Sequence, residues 1–286
     1  MNIPETIKSA YDEVSYTIAT DFIIFLTGIL LFGCWLLKTS FGKKALSDSV
    51  PRRNNMPPYL PFVPLFIWVG VIALATSVTE KLLPNLQDWQ KAFLDNIILC
   101  ISEITVIAVI ILLARASFAR RLKGFGLNLR TIYKDFPAAL LNLLSVWPLI
   151  AAMILLTIYL GKLILGPDFE IQPHEELELI KSYSQLSVRA LIIIAAVTIV
   201  PVFEEMLFRG LFQTMLRSIL VKPWLSIITS SVLFVMAHAN AGHWPALFVL
   251  SMCMGYAYEK SGSLLRPIFI HCIFNATSII GTLYNT

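Results

Sequence analysis

The sequence predicts an all-α fold, a polytopic bundle of about eight transmembrane helices, and two observations carry that reading. Of 286 residues, 57% are hydrophobic and only 14% are charged, against roughly 25% charged in soluble domains. The apolar residues also fall into runs of about 20, the length a helix needs to cross a hydrocarbon core of about 30 Å.

Eight candidate spans follow in order: 16–37, 58–78, 92–114, 137–160, 187–208, 223–238, 245–258 and 264–283. The sixth and seventh are short, as expected of helices that tilt or are sheltered by neighbours. Residues 1–21 are polar and slightly acidic and lack the basic start of a signal peptide, so the first apolar run is expected to remain as an anchor. Residues 1–185, four spans and an acidic outer loop, form one unit of the reading; residues 186–286 form the other, the catalytic core.

Loop charge alternates. The first loop carries Lys38, Lys43, Lys44, Arg52 and Arg53 against Asp48. The third carries Arg115, Arg120, Arg121, Lys123, Arg130 and Lys134 against Asp135. The loop at 161–186 reverses the sign with Asp168, Glu170, Glu175, Glu176 and Glu178 against Lys162 and Lys181. By the positive-inside rule the first and third loops are cytoplasmic, and both termini and the acidic loop lie outside. Arg209, Arg217, Lys222, Lys260 and Arg266 then also fall inside. The net charge of +4 belongs to these loops and implies no nucleic-acid partner. Membrane lipid is the partner this pattern implies.

Cys34, Cys100, Cys253 and Cys272 all lie in apolar segments without metal or redox spacing, and read as small core residues. Asp95 sits near a helix end and can snorkel. Glu103 sits mid-span beside Ser102, and an intramembrane acid is a functional candidate by default.

The chemistry concentrates in three pieces: Glu204-Glu205-Met-Leu-Phe-Arg209, Phe234-Val-Met-Ala-His238 and His271-Cys-Ile-Phe-Asn275. Charges in an apolar run must be paired or do chemistry. Adjacent helical residues diverge by about 100°, so the two glutamates face apart. Glu205 and Arg209 stand i,i+4 in the favoured acid-first order and are expected to pair. Glu204 is then free to face a cavity, with Pro201 as a kink that aims it. His271 and Asn275, also i,i+4, share a face and suit an oxyanion. His238 comes from another helix and can share a water with Glu204, a carboxylate–imidazole general base. The implied reaction is amide or ester hydrolysis without a covalent intermediate.

Nucleophiles are weaker candidates: Cys272 diverges from His271, and Ser230 and Ser231 lack a third triad member. Glu204, His238 and His271 also make a His₂Glu set for a divalent metal such as zinc, although no His-Glu-x-x-His motif is present. Metal-dependent and metal-free chemistry both stay open. His243 and His174 are placed in outer loops.

The order Glu-Glu-x-x-x-Arg, Phe-x-x-x-His, His-x-x-x-Asn, with Gly-Ser-Leu-Leu-Arg-Pro-Ile before His271, resembles the CAAX-protease and bacteriocin-processing (Abi) family of intramembrane endopeptidases over about 191–284. The resemblance implies a site within the membrane where Glu204 and His238 activate water, His271 and Asn275 form the oxyanion hole, and Glu205, Arg209 and Phe234 support them. It also implies a peptide or protein substrate near the membrane, in the plasma (inner) membrane of a prokaryote, and it leaves two other readings: a non-enzymatic immunity or chaperone-like membrane protein, and a proton-coupled transporter.

One conflict stands on straight helices. Glu204 and His271 fall near the inner face, whereas His238 lies about 22 Å above the start of its span. Either span six tilts or starts below the membrane plane, with the fifth helix running on through Arg217 into the cytosol, or the topology of the last four spans is different; the basic residues of 209–222 favour the first.

Overall fold

The computed structural model describes residues 5–173 and 175–284; for residues 5–20, 175, 176, 282 and 284 it gives the helical backbone. His174 and the first four residues lie outside the described residues. Each of the eight expected spans holds a helix: α1 (Glu5–Lys38), α2 (Phe62–Leu82), α3 (Asp88–Ser117), α5 (Ile132–Leu165), the composite helix Leu186–Leu220, α10 (Pro223–Met236), α11 (Trp244–Ser261) and α12 (Leu265–Tyr284). The sixth is shorter than expected, and His238 stands in the turn after α10 rather than on the helix. Two short helices, α4 (Arg121–Phe125) and α6 (Glu175–Ser182), lie in the loops. The first five are long and apolar enough to cross a bilayer; α10 and α12 are shorter apolar helices.

α1 and α2 bury little of their surface in the protein. Phe66, Leu112 and Leu155 are 63–70% exposed. Contiguous exposed apolar surface on this scale is unfavourable in water and suited to lipid.

The core is shared across the chain. Val106, Ile110 and Ala114 of α3, Leu143 and Val146 of α5, Phe203 and Leu207 of the composite helix, and Leu250, Met254 and Ile268 of α11 and α12 form one buried cluster. Small residues allow the close approaches. The ring of Phe125 occupies the place a Cβ at Gly210 would take, and a Cβ at Gly255 would meet Gln213 Oε1 at 2.9 Å.

The basic loops gather at one end, as the charge pattern requires. Asn54 pairs with Phe118 across the first and third loops. Glu259 accepts from Arg217 Nε at 2.9 Å and Ser49 Oγ at 2.9 Å. The Arg52 guanidinium lies 3.5 Å from the centre of the Tyr258 ring, and Arg266 pairs with Asp135 at 3.1 Å. At the other end the acidic loop meets the turn after α10: Asn240 Nδ2 and His243 Nε2 each lie 2.9 Å from the Gln172 carbonyl.

Candidate active site

The helix Leu186–Leu220 decides the depth of the site. It runs as α7 (Leu186–Ile194), a π-helical turn (Ala195–Ile199), α8 (Val200–Glu205), a second π-helical stretch (Met206–Gln213) and α9 (Thr214–Leu220). Glu204 therefore stands mid-helix, about 24 Å from Leu220 at 1.5 Å per residue. α10 starts beside that inner end, so Phe234 and His238 reach a similar height. The depth conflict disappears because the helix continues through Arg217.

The first π turn follows from Pro201. Proline has no N–H and its ring crowds the preceding turn, and wide turns absorb such defects. The Val200 N–H bonds back to the Ala195 carbonyl. The next bond of that pattern would run from residue 201 to the Ala196 carbonyl, and Pro201 has nothing to donate. Asn275 Nδ2 supplies the missing donor at 2.8 Å. The kink expected at Pro201 is thus a widened turn whose orphan carbonyl is capped from α12.

Arg209 is fully buried and is held on three sides. Nη1 donates to Glu205 Oε1 at 2.8 Å, and Nη2 donates to Ser251 Oγ at 2.7 Å and to the Ser251 carbonyl at 3.2 Å. Its guanidinium lies 4.6 Å from the centre of the Phe234 ring. The expected Glu205–Arg209 pair is formed.

Glu205 has a further partner that the spacing did not reveal. Its Oε1 lies 3.0 Å from His271 Nδ1. A carboxylate paired with arginine is acceptor-only, so Nδ1 carries the proton and donates. The imidazole is thereby oriented with Nε2 toward Glu204, whose Oε2 lies 3.7 Å away. The Glu204 side chain is 18% exposed, whereas that of Glu205 is fully buried. The two adjacent acids therefore differ as expected: one is locked inside and one reaches an opening.

Phe234 is the hub of the second motif. Its ring centre is 4.7 Å from that of His238 and 5.8 Å from that of His271. His238 Nδ1 lies 2.8 Å from the Phe234 carbonyl, and the His238 carbonyl accepts from Trp244 Nε1 at 2.9 Å. Those bonds hold the ring and leave Nε2 for other partners.

His271 and Asn275 do share a face of α12, but their contacts fall eight residues apart on the composite helix, at Glu204 and Ala196. One N–H of the Asn275 amide is committed to backbone; the group has two. Sequence spacing missed Ser251 because nothing marks a serine in an apolar run as an arginine's partner. Proline followed by a distant helix-borne asparagine was a usable signal for the capped carbonyl.

The possible metal set fits poorly. Among the described residues no three His, Cys, Asp or Glu side chains converge as a metal shell requires. His271 and His238 do commit Nδ1, to Glu205 and to the Phe234 carbonyl, which leaves each Nε2 as the nitrogen a metal would take, so the misfit lies in the convergence of the groups and not in their tautomers.

Residues 186–277 match the family described as type II CAAX prenyl endopeptidase, Rce1-like. That segment holds all three motifs, and the resemblance read from them is upheld over it. Among curated proteins, an uncharacterized 24.3 kDa protein of Escherichia coli is 28% identical over 118 residues, which is 40% of this chain and 54% of that protein. The chain thus spans about half the length of that relative. No solved structure matches. With its long apolar helices, the chain is an integral membrane protein.

Proposed function

We propose that this chain is an intramembrane endopeptidase that hydrolyses a peptide bond of a membrane-associated or lipidated peptide by a metal-free route. The observation that carries the proposal is the partly exposed Glu204 beside His271, with Glu205 holding the ring from behind. The Rce1-like segment supports the reaction class.

In this reading Glu204 takes a proton from a water as its oxygen bonds to the scissile carbonyl carbon. His238 Nε2 holds the same water. His271 acts as an imidazolium: Nδ1–H is held by Glu205, and Nε2–H faces the oxygen on which charge develops. The buried charges then balance, Glu205 against Arg209 and Glu204 against His271. The second N–H of Asn275 donates to the same oxygen. Collapse of the adduct breaks the C–N bond, and the proton on Glu204 leaves with the amine. In this reading the chain sits in the plasma membrane of a prokaryote.

The test is cleavage, in liposomes, of a quenched peptide carrying a farnesyl thioether near its C-terminus, and of its unlipidated counterpart. Glu204→Gln and His238→Ala are expected to lose about 10²–10⁴-fold in rate while melting like wild type. Equal cleavage by all three proteins, or none by wild type, would overturn the proposal, and the second result favours a non-enzymatic role.

A further inference from the structure

Away from the two glutamates, α5, α6 and α12 enclose a cavity of about 530 Å³, a size that suits a small ligand. Trp147, Ala151 and Ile154 of α5 form one wall, Phe274 and Gly281 of α12 form another, and Leu177 of α6 borders the end nearest the acidic loop. The ring centres of Trp147 and Phe274 stand 6.2 Å apart at the deep end. Ile180 is buried with Val188, Ile192 and Ile279 and so seats α6 on the bundle. From Trp147 to Ile154, as from Phe274 to Gly281, is about 10 Å at 1.5 Å per residue. One leaflet of a bilayer core is about 15 Å deep.

The walls offer an occupant apolar contact and little else. Thr277 and Ser278 also border the cavity, but their hydroxyls donate to the Phe274 carbonyl at 2.8 and 3.0 Å. A peptide would bring N–H and C=O groups that these walls do not satisfy, which is costly at membrane depth. A hydrocarbon chain brings none. The mouth differs. Glu178 and Lys181 border it, i,i+3 neighbours on α6 and both exposed. Neither side chain joins an ion pair among the described residues. Lys181 suits a phosphate, and Glu178 suits an ammonium with N–H to donate. The loop at 161–186 carries five acids against two lysines, which disfavours a headgroup of net negative charge.

We propose that this cavity binds one phosphatidylethanolamine molecule: an acyl chain lies between α5 and α12, Lys181 holds the phosphate, and Glu178 accepts from the ammonium. The chain braces the face of α12 beside the one that carries His271 and Asn275, and it ties α6 to both helices. This binding does not rest on the endopeptidase reading.

Native mass spectrometry of the full chain, delipidated in detergent and titrated with dioleoyl lipids, tests it. Wild type is expected to retain one phosphatidylethanolamine. Phosphatidylcholine, whose ammonium has no N–H, and anionic phosphatidylglycerol should bind about 2–5-fold more weakly, the scale of an exposed charge contact. Glu178→Gln should erase the preference for phosphatidylethanolamine over phosphatidylcholine. Ala151→Trp fills the cavity from α5 and should weaken retention about tenfold or more, since several methylenes lose their burial. Ile154→Trp, at a position 37% exposed, should do the same and decides the matter if Ala151→Trp does not fold. Equal binding of the three lipids, or retention that neither tryptophan variant lowers, would overturn the proposal. A dimer that Ala151→Trp dissolves, with no lipid retained, would also overturn it and give the cavity to a second copy of the chain. Cleavage plays no part in the readout, so failure here leaves the endopeptidase standing.

Discussion

The amide of Asn275 caps the carbonyl of Ala196 at 2.8 Å, replacing the N–H that Pro201 lacks. A buried carbonyl left unpaired costs about 1–3 kcal/mol, so this one bond ties α12 to the widened turn above the two glutamates.

That relationship predicts a coupling. Asn275→Ala should destabilise the chain by about 1–3 kcal/mol. In a Pro201→Ala background the restored N–H can serve the carbonyl, so the same change should cost less, with a coupling of about 0.5–3 kcal/mol. Unfolding of the four proteins in detergent measures it; additive costs would show that the two residues act independently.

The Glu205–Arg209 pair is wholly buried at 2.8 Å. Breaking one side of such a pair is costly because the other charge stays in place. Arg209→Leu is expected to lose about 3–5 kcal/mol, and Glu205→Gln with Arg209→Met distinctly less. Denaturant unfolding ranks the two, and a double variant as unstable as the single one contradicts the buried-charge account.

Gly210 faces the ring of Phe125 with no room for a methyl group. Gly210→Ala should therefore cost about 1–3 kcal/mol through overpacking, despite the better helix propensity of alanine. Phe125→Leu in the same chain should recover part of the loss. A stabilised Gly210→Ala variant would mean that α4 moves away freely.

Because no three ligands converge at the site among the described residues, stripping divalent cations with a chelator is expected to leave the cleavage rate unchanged. Loss of activity that zinc restores would require Glu204, His238 and His271 to rearrange into a metal shell.

Much of this arrangement was legible beforehand. Glu205 and Arg209 met because i,i+4 spacing puts them on one face whatever the surroundings. The basic loops clustered because charge decides which side of a bilayer they occupy. His271 was legible as a site residue, but not as the ligand of Glu205, since that contact joins residues 66 apart. Asn275 was assigned to an oxyanion by its spacing and by the family resemblance, and its bond to Ala196 appears only when α12 lies against the π turn.

The chain by itself determined the all-helical membrane architecture, the three motifs and the difference between two adjacent acids. These depend on hydropathy, on loop charge and on angles within one helix, which are local quantities. Tertiary structure alone decided the height at which the motifs meet, the grip of Glu205 on His271 and the contact of two histidines with the Phe234 ring. Each of these depends on where one helix ends and how another packs against it, which no spacing within a single segment encodes.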